Sequence, residues 1–76
     1  MGLDVGSIRR QKGISLMEIS NQTKIGVAYL EAIEQGQFGK LPGGIYSTSY
    51  IRQYARAIQC DEAHLLDCYY ASAIAS

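Results

Sequence analysis

The stretch SLMEISNQTKIGVAYLEAIEQG, residues 15–36, decides the fold. Ser15 and Glu18 stand three apart at the start of an apolar-periodic run, which is the spacing of a capping box: the serine hydroxyl accepts from the Glu18 N–H, and the glutamate carboxylate accepts from the Ser15 N–H. A helix therefore begins at Ser15 and turns Leu16, Ile19 and Thr23 inward. A second helix starts after Gly26, a permitted N-cap, runs through Val27, Leu30 and Ile33, and stops at Gly36. Only Lys24 to Gly26 separate the two. So short a joint forbids an antiparallel pair and forces a steep crossing, so residues 15–36 predict a helix-turn-helix. Inward positions at Ile19, Ile25, Leu30 and Ile33 agree with it.

The same helical period extends in both directions, and nowhere do apolar and polar residues alternate over strand length. Upstream, Asp4 is placed to cap a first helix reaching about Lys12, with Val5 and Ile8 inward and Gly13 as its left-handed stop. Downstream, Gln35 to Gly44 holds four of the eight glycines and the only proline, Pro42, so it reads as a loop pinned by Phe38 and Leu41. A fourth helix covers about 45–58 and a fifth, capped by Asp61, about 62–72, carrying Leu65, Leu66 and Tyr69. The expectation is all-α: five helices in one domain over residues 1–76, with no repeat and no internal boundary.

Size and charge narrow the function. A chain of 76 residues cannot enclose a second core or a large substrate cavity. At 47 % hydrophobic and 18 % charged it is too apolar for a disordered tail. Seven Lys and Arg against seven Asp and Glu leave no net charge, which removes the generic basic surplus of a nucleic-acid binder. Cys60 and Cys68 have no CxxC spacing and are too few to staple a secreted mini-protein, so a reducing, cytoplasmic setting fits. No apolar run is long enough to span a bilayer, and Arg9, Arg10 and Lys12 stand where a signal peptide would be greasy.

Catalysis and metal binding have little to stand on. Cys60, His64 and Cys68 recur every four residues, but along a helix the outer two lie about 12 Å apart, whereas the ligands of one zinc lie within roughly 4 Å of each other. No metal, disulfide or cofactor is expected there; Cys68 reads as a small core residue and His64 as a solvent-facing or capping group. One histidine without a placed Ser or Cys, and carboxylates scattered over separate helices, supply no nucleophile and base. The chain reads as non-enzymatic.

The run Gly13-Ile14-Ser15, Glu18-Ile19, Ile25, Leu30, Ile33-Glu34 and Gly36 resembles the helix-turn-helix of the Cro and phage-repressor class, the XRE family. Its fold, the lambda-repressor-like DNA-binding fold, is the one this resemblance implies. A narrower likeness covers almost the whole chain: Thr23-Lys24-Ile25, Tyr29-Leu30-Glu31-Ala32-Ile33-Glu34, Phe38, Leu41-Pro42-Gly43, Tyr46, Tyr50-Ile51-Arg52, Tyr54-Ala55-Arg56 and Leu65-Leu66 are similar to the cytoplasmic domain of the RodZ family of bacterial cell-shape proteins. In that family the domain precedes a linker and one membrane-spanning helix. The resemblance therefore implies either a fragment of a membrane-anchored protein, lying at the cytoplasmic face of the inner membrane, or a soluble relative.

Two functions compete. A repressor sets the first turns of its recognition helix in the major groove and holds phosphates with basic flanks. Here that helix offers Val27, Ala28, Tyr29, Glu31 and Ala32; Leu16 replaces the Gln that resemblance to repressors expects, and Ile25 to Gly36 carries two negative charges and no positive one. Arg9, Arg10, Lys12 and Lys24 against Asp4 and Glu18 give the first 24 residues a charge of +2, so a DNA regulator would use Lys24, Val27, Ala28 and Tyr29 with backbone help from Arg9, Arg10 and Lys12. Such binding is expected to be weak and undiscriminating.

The other candidate is a tyrosine stripe on the fourth helix. Tyr46, Tyr50 and Tyr54 recur every four residues and drift by about 40° per step, so the stripe slopes out of the core: Tyr54 at its edge, Tyr50 lateral, Tyr46 outward. Exposed tyrosines give broad, stiff contact area with a polar tip and are enriched at interface centres. In the RodZ family the aromatic pair matching Tyr46 and Tyr50 contacts the actin-like filament protein MreB, so the resemblance implies a protein-binding adaptor using Tyr46, Tyr50, Arg52 and Tyr54. Arg52 and Arg56 lie on the other flank of this helix, where they could steer an acidic partner. The arginines that the family tends to show near Thr48 and Ser49 are absent.

Overall fold

The capping box forms as the sequence spells it. In the computed structural model, which describes residues 5–75 and their side chains through Ser72, the Glu18 N–H donates to Ser15 Oγ at 3.1 Å and the Ser15 N–H to Glu18 Oε1 at 3.3 Å. Five helices follow one another without a strand among the described residues: α1 (Val5–Gln11), α2 (Leu16–Thr23), α3 (Val27–Glu34), α4 (Gly44–Ala57) and α5 (Glu62–Ala75). A short 3-10 turn, Phe38–Lys40, interrupts the glycine loop. The position of Asp4, expected to cap α1, lies outside the described residues.

The α2–α3 joint is built by two devices. Lys24 takes the left-handed conformation (φ 65°) and its N–H closes on Ser20 O at 2.8 Å, ending α2 without the glycine usual at such a stop. Thr23 then braces the turn: its hydroxyl donates to Ile19 O at 2.7 Å and accepts from the Ile25 N–H at 3.2 Å. Thr23 is thus half-buried as a hydrogen-bonding strut, where an inward-facing packing residue was expected. Gly26 caps α3 in extended geometry, and Gly13 and Gly36 both sit at φ +72°, which only glycine enters cheaply.

The core collects one or more residues from every helix: Val5, Ile19, Ile25, Leu30, Ala32, Ile33, Leu41, Ile51, Tyr54, Ala55, Ile58 and Leu65. The long α4 is its axis, packed against α5, α2 and α3. Its start uses the glycines differently from a stop. Gly43 (φ +100°) and Gly44 (φ +56°) reverse the chain, and the Gly43 N–H donates to the buried Ser47 Oγ at 2.9 Å. Asp61 caps α5 through Oδ1, which accepts from the Ala63 N–H at 3.0 Å. Cys68, expected in the core, is exposed instead, because α5 turns only Leu65 fully inward and Leu66 and Tyr69 partly.

Candidate functional site

Two of the four cations placed on a DNA contact make tertiary bonds within the fold, the half-buried Arg9 and the exposed Lys12. Arg9, in the last turn of α1, donates through Nε to Glu34 Oε1 and through Nη1 to Ile14 O at 2.9 Å. Its side chain keeps little exposure, 12 %, so it locks α1 to α3 and offers a phosphate little of its guanidinium. Lys12 Nζ donates to Ile58 O at 2.7 Å, the carbonyl at the end of α4, where a cation also complements the helix dipole. Arg10 and Lys24 remain on the surface.

Glu34 is the centre of this arrangement. The same Oε1 accepts from the Tyr54 hydroxyl at 2.8 Å, so one carboxylate joins α1, α3 and α4. Tyr54 is 0 % exposed, and its place among the partner-contacting residues is corrected: it is a core residue with a satisfied hydroxyl. Burial, reinforced by the adjacent Glu34 carboxylate, pushes that hydroxyl well above its ordinary pKa. The hydrogen bond that Arg9 donates to the Glu34 carboxylate holds its guanidinium above its ordinary value too, against the opposing effect of burial. The pairing also revises the charge of α3. Of its two glutamates only Glu31 faces water as a free charge, so its outward surface is less acidic than the residue count implies.

With those side chains withdrawn, the exposed aromatic groups stand out. Tyr46 is 63 % exposed in the first turn of α4 and Ile45 beside it 80 %. Tyr50 is half-buried, packed on the core by one edge. Against its other side lies Tyr29 of α3, 37 % exposed, with ring centroids 5.6 Å apart and planes tilted by 49°. That separation falls within the range where aromatic pairs attract beyond simple burial. Tyr29 and Tyr50 thus pair between α3 and α4, and with Tyr46, one turn before Tyr50 on α4, they mark out an aromatic ledge drawn from two helices.

Arg52 does not share this face. At about 100° per residue it lies about 160° from Tyr50 and about 120° from Tyr46 around α4, so it is exposed on the outer side, together with Arg56, which pairs with Glu62 at 2.8 Å. Tyr29 was placed on a DNA-reading face by its position early in α3. The helical phase held the better clue: it sits about 40° from Ile33 and about 60° from Ala32, both buried, on the side turned toward α4. Val27 is half-buried and Ala28 exposed, and neither carries a hydrogen-bonding side chain. Among the described residues, no three His, Cys, Asp or Glu side chains gather as a metal site.

Comparisons with known proteins agree with this architecture. A family model described as a helix-turn-helix domain matches residues 7–65. The chain is 38 % identical over 61 residues to the cytoskeleton protein RodZ of Streptococcus pneumoniae (strain ATCC BAA-255 / R6), covering 80 % of this chain and 22 % of that protein. It is 37 % identical over 54 residues to the uncharacterized membrane protein YmfM of Bacillus subtilis (strain 168), covering 71 % of this chain and 19 % of that one. It thus spans roughly a fifth of the length of these curated relatives. No solved structure matches it. Its five helices, the capped α2–α3 joint and the family match over residues 7–65 together establish that the chain belongs to the helix-turn-helix domain family, as a RodZ-like member.

Proposed function

We propose that this domain is a non-enzymatic protein-binding adaptor in bacterial cell-shape control, docking an actin-like filament protein of the MreB kind through the ledge centred on Tyr46 and Tyr50. The observation that carries this reading is the exposure of Tyr46, at 63 %, next to the half-buried Tyr50 on the helix that anchors the core. A large aromatic ring held in water by a rigid helix is a contact residue in waiting, because little conformational entropy is lost when a partner covers it. The likeness to a cytoskeleton protein supports the partner class, and the likeness to a membrane protein supports a site of action at the cytoplasmic face of a membrane. None of the described helices is long and apolar enough to cross a membrane. Residues 1–76 act in this reading as one unit. The test is co-sedimentation with polymerised MreB-type filaments. The Tyr46→Ala, Tyr50→Ala double variant is expected to stay in the supernatant while keeping its circular-dichroism spectrum and cooperative melting; pelleting equal to that of the parent chain overturns the reading.

A further inference from the structure

We infer that Tyr29, on the helix that a repressor lays against DNA, is a third contact residue of this ledge, and that the ledge takes a protein surface presenting an apolar patch ringed by hydrogen-bond acceptors. The inference rests on the adaptor reading and specifies what its partner must offer. Three observations meet here. First, the Tyr29 ring packs against Tyr50 with centroids 5.6 Å apart while 37 % of the residue stays exposed, so it is steadied from inside the fold and open on the outside. A ring fixed this way is pre-oriented, and binding does not have to immobilise it. Second, the hydroxyls of Tyr29, Tyr46 and Tyr50 have no hydrogen-bond partner among the described residues, whereas that of Tyr54, the tyrosine turned inward, is satisfied by Glu34. A partner that covers the rings must accept from these hydroxyls or leave them unpaired, and an unpaired buried hydroxyl is costly. Third, the neighbouring surface gives phosphate little to hold: among the described residues Lys24 in the α2–α3 joint is its one free cation, Ala28 is exposed and apolar, Glu31 is a free carboxylate, and Arg52 stands on the far side of α4. Occupying the ledge therefore covers the first turn of α3, and the surface a repressor reserves for bases is used for protein.

The experiment uses the whole chain and purified MreB-type filaments. A photoreactive benzoylphenylalanine in place of Tyr29 should cross-link to the filament on irradiation, while the same group in place of Ala63, exposed on α5, should not. Tyr29→Phe, which keeps the ring and removes the hydroxyl, should weaken filament binding by about two- to tenfold, the worth of one hydrogen bond. Tyr29→Ala should weaken it further. If the Tyr46→Ala, Tyr50→Ala variant loses binding but neither the cross-link nor the Tyr29→Phe effect is seen, Tyr29 is no contact and this inference fails while the adaptor reading stands. If that double variant binds as the parent does, both fall. Cross-linking at position 29 to duplex DNA in preference to filament, with both present, also overturns it.

Discussion

At the scale of single residues, Glu34 decides how much of the chain's charge is available to a partner. Its carboxylate takes Arg9 and the Tyr54 hydroxyl together, in a place where water is nearly excluded. Removing it by Glu34→Ala leaves a guanidinium and a phenol without their acceptor, a loss of about 3–5 kcal/mol for the broken, mostly buried pair. Tyr54 adds a pH signature of its own. Its folded-state pKa lies above the ordinary 10, so above pH 10 the unfolded chain releases that proton while the folded chain keeps it. The unfolded state then binds fewer protons, and stability, fully present below pH 10, falls as pH rises, by up to about 1.4 kcal/mol per pH unit. Urea denaturation from pH 7 to 11 checks this. Tyr54→Phe should be about 1–3 kcal/mol less stable at pH 7 and should lack this part of the alkaline decline. An identical alkaline slope in the two proteins contradicts the assignment.

At the scale of elements, local signals were legible where the backbone itself imposes them. Ser15 and Glu18 announced the start of α2, Gly13 and Gly36 announced two stops, and Asp61 announced α5, because caps and left-handed turns depend on the residues that form them. Ser15→Ala should accordingly cost about 1 kcal/mol, read as a lower urea midpoint with an unchanged slope. The pairings across elements were not legible. Arg9 and Glu34 are 25 positions apart and Lys12 and Ile58 are 46 apart, and nothing in the spacing of either pair says that tertiary folding joins them. The cations near the amino terminus therefore looked like a phosphate-binding group when half of them are structural. The ledge was legible in part: helical phase turned Tyr46 outward and Tyr54 inward, but the approach of Tyr29 to Tyr50 depends on how α3 crosses α4, which only the assembled fold sets.

At the scale of the whole molecule, the question is which polymer the surface suits, a polyanion or a protein filament. The fold has a radius of gyration of 11.3 Å, near the roughly 11 Å expected for a compact chain of this length. The chain carries seven Lys and Arg against seven Asp and Glu, and only some of these cations are free. Among the described residues, Lys24, Lys40 and Arg52 carry no partner, and Arg10 reaches only Ser7 Oγ at 3.3 Å; they belong to the α2–α3 joint, the 3-10 turn, α4 and α1. Even if all four met phosphates, the logarithm of the DNA affinity would fall against the logarithm of salt with a slope no steeper than about −4, where repressors with 6–10 contacts lose about 10³–10⁵ in affinity between 50 and 200 mM. Base discrimination needs donors and acceptors at the start of α3, where Val27 and Ala28 supply none and Tyr29 offers a single hydroxyl. Titrating a fluorescent duplex and a scrambled one at several salt concentrations should give weak binding, a shallow slope and the same affinity for both. A slope of about −6 or steeper, with one duplex bound about a thousandfold more tightly than the other, would require a basic reading face that these side chains do not provide, and would return the chain to the DNA-binding regulators.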